Sequence, residues 1–537
     1  MAAPSVNRGI AGRVPNRTGG KPPLTRAQVS RTYSVAAPTG GLNAISGIAH
    51  MPETDALVCD NWFPQPSYLQ VRNGYGKWAT GLPDWVETLM AYDSGAAQSL
   101  FGISNKNVYD CTAQGAVGAA VVTGLTNSRF ESINIATAGG QFLYAANATD
   151  DPLLYDGTTW YSITGASVPY AITGVTTTTL RNPCLWKSRV WFVIDGTLSA
   201  CYLPTGAIAG AASTFDFTAI FRLGGQLQAI FTFSLLDSST FGNYIGFLTT
   251  EGEIAIYQGT DPAFAGTFAL VGIYKTGIPV GRRCILNYGT DALLLTSDGL
   301  VSVTKLMQQG RVNTAEAPSY KIQFALNSDI QAYNANWGWE LALYPQGNKV
   351  FINVPATTES TIYQYVMNTI HGAWCTFGKM ASPWAAATFC VLGNSLYFGG
   401  KDYVALADSG QSDDNTNIQA TLKTAFTYMG TDTQKYITMC RPIVLTDGNL
   451  TVISYLNMDF QDQPSSAAPT FTGSAGSAWN TSSWNTSPWA VGLTPQKNWQ
   501  TVGGVGFAAS LYFSAAVNDI TCQLASIDYV FQPGGVL

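Results

Sequence analysis

Charged residues are scarce in this sequence: Asp, Glu, Lys and Arg make up 11% of its 537 residues, whereas an average soluble domain has about 25%. Only two histidines occur, His50 and His371, and neither lies near a group of cysteines or carboxylates. We therefore expect no zinc site of the usual spacing. Two histidines also leave little material for a Ser-His-Asp triad, and we expect both to be structural.

No apolar run reaches the roughly 18 residues needed to cross a bilayer, and the N-terminus lacks the apolar core of a secretory signal. Nine cysteines are scattered along the chain, and none forms a CxxC pair. An odd, scattered set of cysteines is typical of buried free thiols in a reducing compartment rather than of a disulfide framework. These absences predict a protein without a membrane span that is made in a cytoplasm.

The sequence also lacks the motifs of common enzyme classes. Walker A, GxSxG and HExxH patterns do not occur. Carboxylate pairs for glycoside hydrolysis assemble across strands, so a propeller glycosidase stays open as a hypothesis, but nothing singles out two of the 33 acids. We expect a protein that is not an enzyme and that holds no cofactor and no metal.

The clearest pattern that is present is a β-hairpin at residues 291–305, DALLLTSDGLVSVTK. Apolar and polar residues alternate on both sides of Asp298-Gly299, which we expect at the bend, because both central residues of a type I′ turn need a positive φ. We predict that the whole segment outside the bend, including Val303 and Thr304, is strand.

Similar Gly-bounded hairpins recur through the middle of the chain, roughly every 40 to 50 residues, the period of a β-propeller blade. A large β-sandwich is the alternative, but sandwich strands usually recur about every 8–12 residues without a longer period. The sequence therefore favours an all-β fold with a propeller of six or seven blades. The copies start at Phe101, Gln141, Arg189, Asn243, Asp291, Asn348 and Asn394.

Residues 1–37 form a basic segment, interrupted by Gly and Pro and without apolar periodicity, for which we predict a flexible arm. It carries a charge of +6, so the remaining chain carries −12, because the whole chain carries −6. Such an arm is either a solvated tail or a segment that docks on an acidic partner or on nucleic acid. Its basic residues are Arg8, Arg13, Arg17, Lys21, Arg26 and Arg31.

The composition changes along the chain predict four segments: the arm at 1–37, a platform domain in two parts at 38–80 and 415–537, and the propeller at 81–414. A propeller brings its two ends together, so its insertion into a domain made by both chain ends needs little loop entropy. We expect the two platform parts to pack together. Acidic pairs such as Asp413-Asp414 are expected to be solvated turns.

Both ends of the chain resemble one family, the tail tubular, nozzle or "DNA stabilisation" proteins of short-tailed bacteriophages. The motifs are short, none is catalytic, and they flank the hairpin repeats. The segments that carry the resemblance are Gly40-Gly41-Leu42-Asn43, Met51-Pro52-Glu53-Thr54-Asp55-Ala56, Asp60-Asn61-Trp62-Phe63-Pro64, Arg72-Asn73-Gly74-Tyr75, Tyr436-Ile437-Thr438-Met439-Cys440-Arg441-Pro442 and Ile527-Asp528-Tyr529-Val530-Phe531-Gln532-Pro533-Gly534-Gly535.

The resemblance implies a structural virion protein of the tail, made in the host bacterial cytoplasm. The implied assembly is a homohexameric tube or nozzle below the portal and its adaptor ring, in contact with tail fibre or tail needle proteins. Double-stranded DNA would pass through the tube without sequence-specific binding. The tube would retain the packaged genome and guide its ejection.

A low-complexity stretch near the C-terminus supports a different hypothesis. Trp479, Trp484 and Trp489 follow one another at steps of five residues. Such a strip is typical of carbohydrate-binding surfaces, so a carbohydrate-binding propeller or adhesin of the tail is the alternative function. Tryptophans that dock on a neighbouring subunit would give the same pattern.

Overall fold

A computed structural model describes residues 29–237, 240–264, 266–356, 362–380, 383–462, 470–471 and 492–534. These residues form an all-β structure in which a propeller is inserted into a platform made by both ends of the chain. The N-terminal part of the platform contains β1 (Arg31–Ala36), β2 (Gly41–Leu42), β3 (Asp55–Asp60), β4 (Trp62–Pro64) and β5 (Leu69–Val71).

The propeller strands follow. The first half comprises β6 (Tyr75–Asp93), β7 (Gln98–Ser104), β8 (Asn107–Asp110), β9 (Gly115–Ala116), β10 (Glu131–Thr137), β11 (Gly140–Ala146), β12 (Leu153–Tyr155), β13 (Trp160–Ser162), β14 (Ile172–Thr173), β15 (Leu180–Trp186), β16 (Arg189–Ile194), β17 (Ser199–Tyr202), β18 (Gly210–Ala211) and β19 (Ser213–Asp216).

The second half of the propeller and the C-terminal part of the platform complete the strands. The remaining propeller strands are β20 (Leu227–Asp237), β21 (Thr240–Thr249), β22 (Glu253–Gly259), β23 (Phe268–Lys275), β24 (Ile285–Tyr288), β25 (Asp291–Thr296), β26 (Gly299–Ser302), β27 (Glu340–Tyr344), β28 (Lys349–Val354), β29 (Tyr363–Asn368), β30 (Trp374–Phe377), β31 (Thr388–Leu392), β32 (Ser395–Gly399) and β33 (Lys401–Ala407). The platform strands are β34 (Ile418–Thr424), β35 (Lys435–Thr446), β36 (Leu450–Met458), β37 (Thr470–Phe471), β38 (Thr494–Gln496), β39 (Gln500–Gly506), β40 (Ala509–Val517) and β41 (Cys522–Pro533).

Seven antiparallel blades make up the described part of the propeller. Blade 1 is the second half of β6 with β7 and β8, and blade 2 is β10–β13. Blade 3 is β15, β16, β17 and β19, and blade 4 is β20–β23. Blade 5 is β24–β26, blade 6 is β27–β30, and blade 7 is β31–β33 with the first half of β6. The number lies within the predicted range of six or seven.

The ring of blades is closed by one long strand. The innermost strands β6, β10, β15, β20, β24, β27 and β31 each contact the next, and β31 contacts β6. Along β6 the pairing partner changes: Tyr75 to Trp85 lie opposite β33, and Val86 to Asp93 lie opposite β7. The first strand of the propeller therefore joins its first and last blades.

Among the described residues there are five short helical segments, one between blades 2 and 3 and four between blades 5 and 6. They are the 3-10 helix Thr177–Thr179, α1 (Val303–Gln309), the 3-10 helices Thr314–Glu316 and Tyr320–Ile322, and α2 (Gln323–Tyr333).

The hairpin at residues 291–305 is present, but it ends earlier than predicted. Thr296 pairs with Gly299, so Ser297 and Asp298 form the bend, one residue before the predicted dipeptide. Helix α1 begins at Val303 because the Ser302 side chain accepts a hydrogen bond from the backbone N–H of Lys305, which caps the first turn.

The platform consists of two sheets that share strands from both chain ends, as predicted. In the first, β41 pairs with β1 and β5 on one side and with β35 on the other. In the second, β3 pairs with β34, and β34 pairs with β40. The fully buried Trp62 from the N-terminal part lies with its ring 5.9 Å from that of Phe513 in the C-terminal part.

Two predicted segment boundaries are wrong. Arg31–Ala36 was assigned to the flexible arm but forms β1, because its backbone pairs residue for residue with 526–531 of β41. The boundary between 38–80 and 81–414 falls inside β6, whose first residues already belong to blade 7. Residues 1–28, which include Arg8, Arg13, Arg17, Lys21 and Arg26, lie outside the described residues.

A buried ion pair joins the two platform segments where the chain enters and leaves the propeller. The Arg72 guanidinium donates to both carboxylate oxygens of Asp413 at 2.8 and 2.6 Å, and neither side chain has any exposed area. It also donates to Asn61 Oδ1 at 2.8 Å and lies 4.3 Å from the ring of Trp384. Asp413 is therefore a core residue and not the solvated turn residue that was predicted.

Asp413→Asn is expected to lower the free energy of unfolding by roughly 3–5 kcal/mol, because it leaves the Arg72 charge buried without its counterion. Urea denaturation of the full chain measures this change. The matched control is Asp414→Asn, since Asp414 forms an exposed pair with Lys77 at 3.3 Å, which is expected to contribute less than about 1 kcal/mol. Equal losses in the two variants would contradict the assignment.

Candidate functional site in the propeller channel

The residues that begin the innermost strands form a polar layer across the propeller channel. In a propeller the innermost strands converge on the axis, so side chains from different blades meet there. Arg181 and Asn182 lie in β15, Glu131 begins β10, and Arg282 and Arg283 lie just before β24. In a chain with so few charges, this layer brings together the buried Glu131, Arg181 and Glu340 and the partly buried Arg282 and Arg283.

Arg283 is the centre of the layer. Its Nη2 donates to Thr88 Oγ1 at 2.6 Å in blade 1 and to the Phe130 carbonyl at 2.8 Å next to blade 2. Its Nη1 donates to Glu340 Oε2 at 3.1 Å in blade 6 and to Thr388 Oγ1 at 3.0 Å in blade 7. One guanidinium therefore connects its own blade 5 to four others, because the planar group presents five N–H donors in a fixed geometry.

Arg181 connects blades 3 and 4 in the same way. It donates to the carbonyl oxygens of Leu227 and Gln228 at 2.9 and 2.7 Å, and its Nε donates to Asp195 at 2.6 Å. The Gln228 amide then donates to the Gly281 carbonyl at 2.7 Å, next to blade 5. Together with Arg283, these bonds link all seven blades at the axis.

Glu131 is only partly satisfied. Its Oε2 accepts a hydrogen bond from the backbone N–H of Asn182 at 2.7 Å, while Oε1 is buried and has no hydrogen-bond partner among the described residues. Burial raises the pKa of this carboxyl group, although the charges of Arg181, Arg282 and Arg283 act against the rise. A buried acceptor without a hydrogen bond is uncommon in native structures.

The guanidinium of Arg282 also has few hydrogen-bond partners. The one hydrogen bond that the described residues give its guanidinium runs from Nη1 to the Asn147 carbonyl at 3.1 Å. Burial lowers the pKa of Arg282, and repulsion from Arg181 adds to that. The negative charge of Glu131 acts in the opposite direction on the pKa of Arg282 and offsets part of this lowering.

Cavities lie on both sides of the Arg283 layer. The mouth cavity, about 700 Å³, is lined by Asp84, Trp85, Glu87, Trp337 and several asparagines. The guanidinium groups of Arg129 and Arg283 lie 5.3 and 5.1 Å from the Trp337 ring.

On the other side of the layer, the channel cavity of about 490 Å³ has Glu131, Arg282, Arg283 and Glu340 at its polar end. The rest of the lining is mixed: it includes the polar residues Ser132, Asn134 and Asn182. Its aliphatic members are Leu89, Ala91, Ile133, Ile285, Leu341, Leu343 and Val391.

The site residues singled out in the sequence belong to the platform and not to the channel. Trp62 and Phe63 are buried in its core, and Asn61 has a positive φ of 57° while its amide donates to the Gln419 carbonyl. Burial raises the pKa of Asp60 to about 6, although its carboxylate accepts hydrogen bonds from Thr376 and two backbone N–H groups. The other described members are Pro64 in β4, Arg441 and Pro442 in β35, Arg31 in β1, and Gly534 after β41.

Four of the remaining singled-out residues, Trp479, Trp484, Trp489 and Gly535, lie outside the described residues. Sequence reasoning missed the channel residues entirely. The adjacent pair Arg282-Arg283 in a charge-poor chain was the available signal, but its partners are 57 to 196 residues away.

The cysteines are buried free thiols, as expected. Eight cysteines are buried, Cys390 is partly buried, and all nine are free. Burial raises the pKa of Cys184 and Cys201 to about 12, so neither is a reactive thiolate at neutral pH. Within the part of the chain that the structure describes, no three His, Cys, Asp or Glu side chains are grouped so that they hold a metal ion. None of the described helices is long and apolar enough to cross a membrane.

Comparisons with known proteins return structural likenesses only. No family model matches the chain, and no curated protein matches it. Among solved structures, a complex of BBS1N with ARL6DN is 9% identical, with a TM-score of 0.37 over 63% of this chain and 96% of that chain. Raptor from Chaetomium thermophilum is 10% identical, with a TM-score of 0.35 over 62% of this chain and 29% of that chain.

An exo-beta-1,3-galactanase from Phanerochaete chrysosporium, solved with galactose, is also 10% identical, with a TM-score of 0.24 over 73% of this chain and 95% of that chain. At these TM-scores the likenesses say nothing about what this chain binds or does.

Arg283→Lys is expected to destabilise the protein by about 1–3 kcal/mol, because a single ammonium cannot satisfy acceptors in four blades and leaves buried polar groups unpaired. Hydrogen exchange should show faster exchange in β6, β10, β27 and β31, the innermost strands that Arg283 connects. The control is Arg222→Lys, since Arg222 is exposed in the loop before blade 4. A loss of protection confined to blade 5 would contradict the bridging role.

Proposed function

We propose that the chain is a structural protein of a short-tailed bacteriophage, which forms a tail tube or nozzle below the portal and its adaptor. The observation that carries the proposal is the placement of the segments that resemble this family. They come from opposite ends of the sequence, yet they lie together in one platform. A set of motifs that forms one contiguous module supports a common origin better than scattered similarities do.

Direct contacts join these segments. Arg441 and Asp528, which lie in two different motifs, form an ion pair at 2.5 Å, and Pro442 is opposite Ile527 in the pairing of β35 with β41. Residues 69–70, between two N-terminal motifs, pair with residues 523–524 of β41. The platform is therefore the part of the chain to which the resemblance applies, and the propeller is its insertion.

Ring formation is supported by two separate apolar surfaces. On the platform surface, Tyr436, Phe460, Val505 and Phe507 are 47, 39, 56 and 49% exposed. Tyr436 and Val505 are directly opposite each other in β35 and β39, and Phe460 and Phe507 line one depression. Clustered exposed aromatic residues on a soluble protein mark an interaction surface.

The second surface is the outer strand of blade 4. In β23, Leu270, Val271 and Ile273 are 43, 44 and 39% exposed. Among the described residues, β23 pairs with β22 alone, which leaves its other edge open. An open apolar edge is a template for association. Two different surfaces on one chain suit head-to-tail contacts between copies, which close into a ring, and a hexamer is the ring that the resemblance implies.

The charges and the closed channel support a DNA path between the copies. Arg283 and its partners cross the propeller channel, so the duplex would run along the axis of the ring. Outside residues 1–37 the chain carries −12, which disfavours strong contacts with phosphates and the drag they would cause. In this proposal the chain guides and retains DNA passively and has no hydrolytic activity.

A carbohydrate-binding function is the second candidate. The mouth cavity favours it, because it combines the indoles of Trp85 and Trp337 with asparagine side chains. A tail adhesin would place this cavity at the tip of a fibre.

Cryo-electron microscopy of particles that contain the chain is expected to show a ring of six copies around a passage. Val271→Lys and Phe507→Lys should each prevent ring formation, because each places a charge in one of the two apolar surfaces. Ile370→Lys is the control, since Ile370 is 60% exposed between β29 and β30 of blade 6 and belongs to neither surface. A monomer or trimer at a fibre tip, with a sugar in the mouth cavity, would overturn the proposal in favour of the adhesin.

Deletion of residues 1–28 is expected to leave a folded protein that fails to join the particle, because this segment carries five of the six basic residues of the predicted arm and would dock on the adaptor ring. Residues 29–37 are kept because β1 belongs to the platform sheet. Sedimentation of particles followed by detection of the chain measures incorporation. Normal incorporation of the shortened chain would show that the arm is a solvated tail and does not dock on the adaptor ring.

A further inference from the structure

Four strands of the first platform sheet form a wall that has an open edge on each side. Their order is β1, β41, β35 and β39, and each strand is antiparallel to its neighbours. Among the described residues, β1 pairs with β41 alone and β39 pairs with β35 alone. One side of the wall is therefore the β1 edge, and the other side is the β39 edge.

Neither edge carries the usual protection against pairing with another chain. The described residues give the backbone of β1 and β39 no hydrogen bond to any further strand or loop. Strand β39, QTVGGVG, contains no charge and no proline, and β1, RTYSVA, contains one charge, at Arg31. Edge strands that stay unpaired usually carry a Lys, a Pro or a bulge. By contrast, β38, an edge strand of the same sheet, contains Pro495.

The two edges match each other in length, direction and side chains. Strand β1 has six residues and β39 has seven. Because the strands of the wall alternate in direction, β1 is antiparallel to β39. A rotation about an axis roughly along the strands would therefore bring the β1 edge of one copy beside the β39 edge of the next as an antiparallel pair. On the solvent face both edges present small, uncharged residues: Thr32, Ser34 and Ala36 in β1, and Thr501, Gly503 and Val505 in β39.

We propose that β1 of one copy pairs with β39 of the next copy, so that the walls join into one continuous sheet around the ring. This inference rests on the ring of the proposed function and names the backbone contact that closes it. Val505, which is 56% exposed, would then lie beside the small side chains of the neighbouring β1. Cross-strand neighbours of this kind stabilise a sheet.

The width of such a ring agrees with a DNA passage. Neighbouring strands lie about 4.8 Å apart, so six copies with four strands each would form a sheet roughly 115 Å around and about 37 Å across, or more if the strands tilt. Side chains would leave a free width of roughly 27 Å or more, and a DNA duplex is about 20 Å wide. Three copies would leave at most about 15 Å, even with tilted strands.

The solvent face of the wall suits the same role. The opposite face packs into the platform core through residues such as Val35, Ile437 and Phe531, so the solvent face is the one that would line the passage. In residues 436–441 and 526–532 the charged residues are Arg441 and Asp528, and they form an ion pair with each other. The face therefore offers no group of cations that would hold DNA phosphates.

Disulfide cross-linking in purified particles tests the contact. Ser34→Cys is combined in turn with Thr501→Cys, Gly503→Cys or Val505→Cys, which together cover neighbouring registers of the pair. Within one copy these positions are three strand spacings apart, roughly 14 Å, which is beyond the reach of a disulfide. Mild oxidation of at least one pair should give a ladder of covalent oligomers with up to six copies in non-reducing electrophoresis.

The native thiols do not interfere with this experiment, because eight cysteines are buried and Cys390 is partly buried. The control combines Ser34→Cys with Ile370→Cys, since Ile370 is 60% exposed between β29 and β30 and belongs to neither edge. This control and the single variants should stay as single chains.

A pair of charge variants tests the contact without cross-linking. Ser34 is exposed, and a Cβ at Gly503 would meet no atom within 4 Å, so both positions accept new side chains. Ser34→Lys with Gly503→Lys places like charges on the two edges, whereas Ser34→Lys with Gly503→Asp places opposite charges there. Electron microscopy should show at least about tenfold fewer rings for the like-charged variant, because the effect of one cross-strand pair is repeated between all the copies.

The possible failures are distinguishable from one another. A ring of six copies in which none of the three cysteine pairs forms a disulfide would overturn this contact and leave the proposed function intact. An equal ladder in the Ile370→Cys control would show random collisions and would also overturn it. Particles that contain the chain but no ring of copies would overturn both the contact and the proposed function.

Discussion

The buried pair between Arg72 and Asp413 fixes the relation between the two parts of this protein. It lies where the chain passes from the platform into the propeller and back again, and both side chains are inaccessible to solvent. Removing two charges from water is unfavourable unless the geometry is good and the remaining donors are satisfied. Here the guanidinium is bidentate to Asp413, donates to Asn61 and lies against Trp384. The pair forms well only when both ends of the chain are in place, so it favours one arrangement of platform and propeller.

The same use of charge recurs elsewhere in the structure. Arg283 and Arg181 link blades at the axis, and the buried Lys349 pairs with Asp408 at 2.8 Å, which joins blade 6 to the end of blade 7. Another buried lysine, Lys435, donates to three backbone carbonyl groups in the platform. The low content of charged residues therefore does not mean that electrostatics are unimportant. Several of the few charges connect segments that are distant in sequence.

Local patterns and long-range contacts differ in how far they could be predicted. The seven predicted starts lie in or directly before the second strands of the seven blades, for example Arg189 at the start of β16 and Asp291 at the start of β25. This succeeded because turn residues and alternation are encoded within one hairpin. The end of the hairpin before Val303 was not predicted, because the side chain of Ser302 caps a helix there although the strand pattern continues. Asp413 and Arg283 could not be found, because their partners come from segments that only the tertiary fold brings near.

Continuous backbone pairing makes the platform and the propeller one mechanical unit. Outer strand β30 of blade 6 pairs with β2 and β3, so a single ten-stranded sheet runs from that blade into the platform. Long strand β6 then joins blade 7 to blade 1. A force on the platform therefore passes into the ring through hydrogen-bonded strands rather than through a flexible linker. Arg283 crosses the propeller channel, so the ring of blades cannot act as a conduit. The properties of the ring that remain available for function are its rigidity and its two cavities.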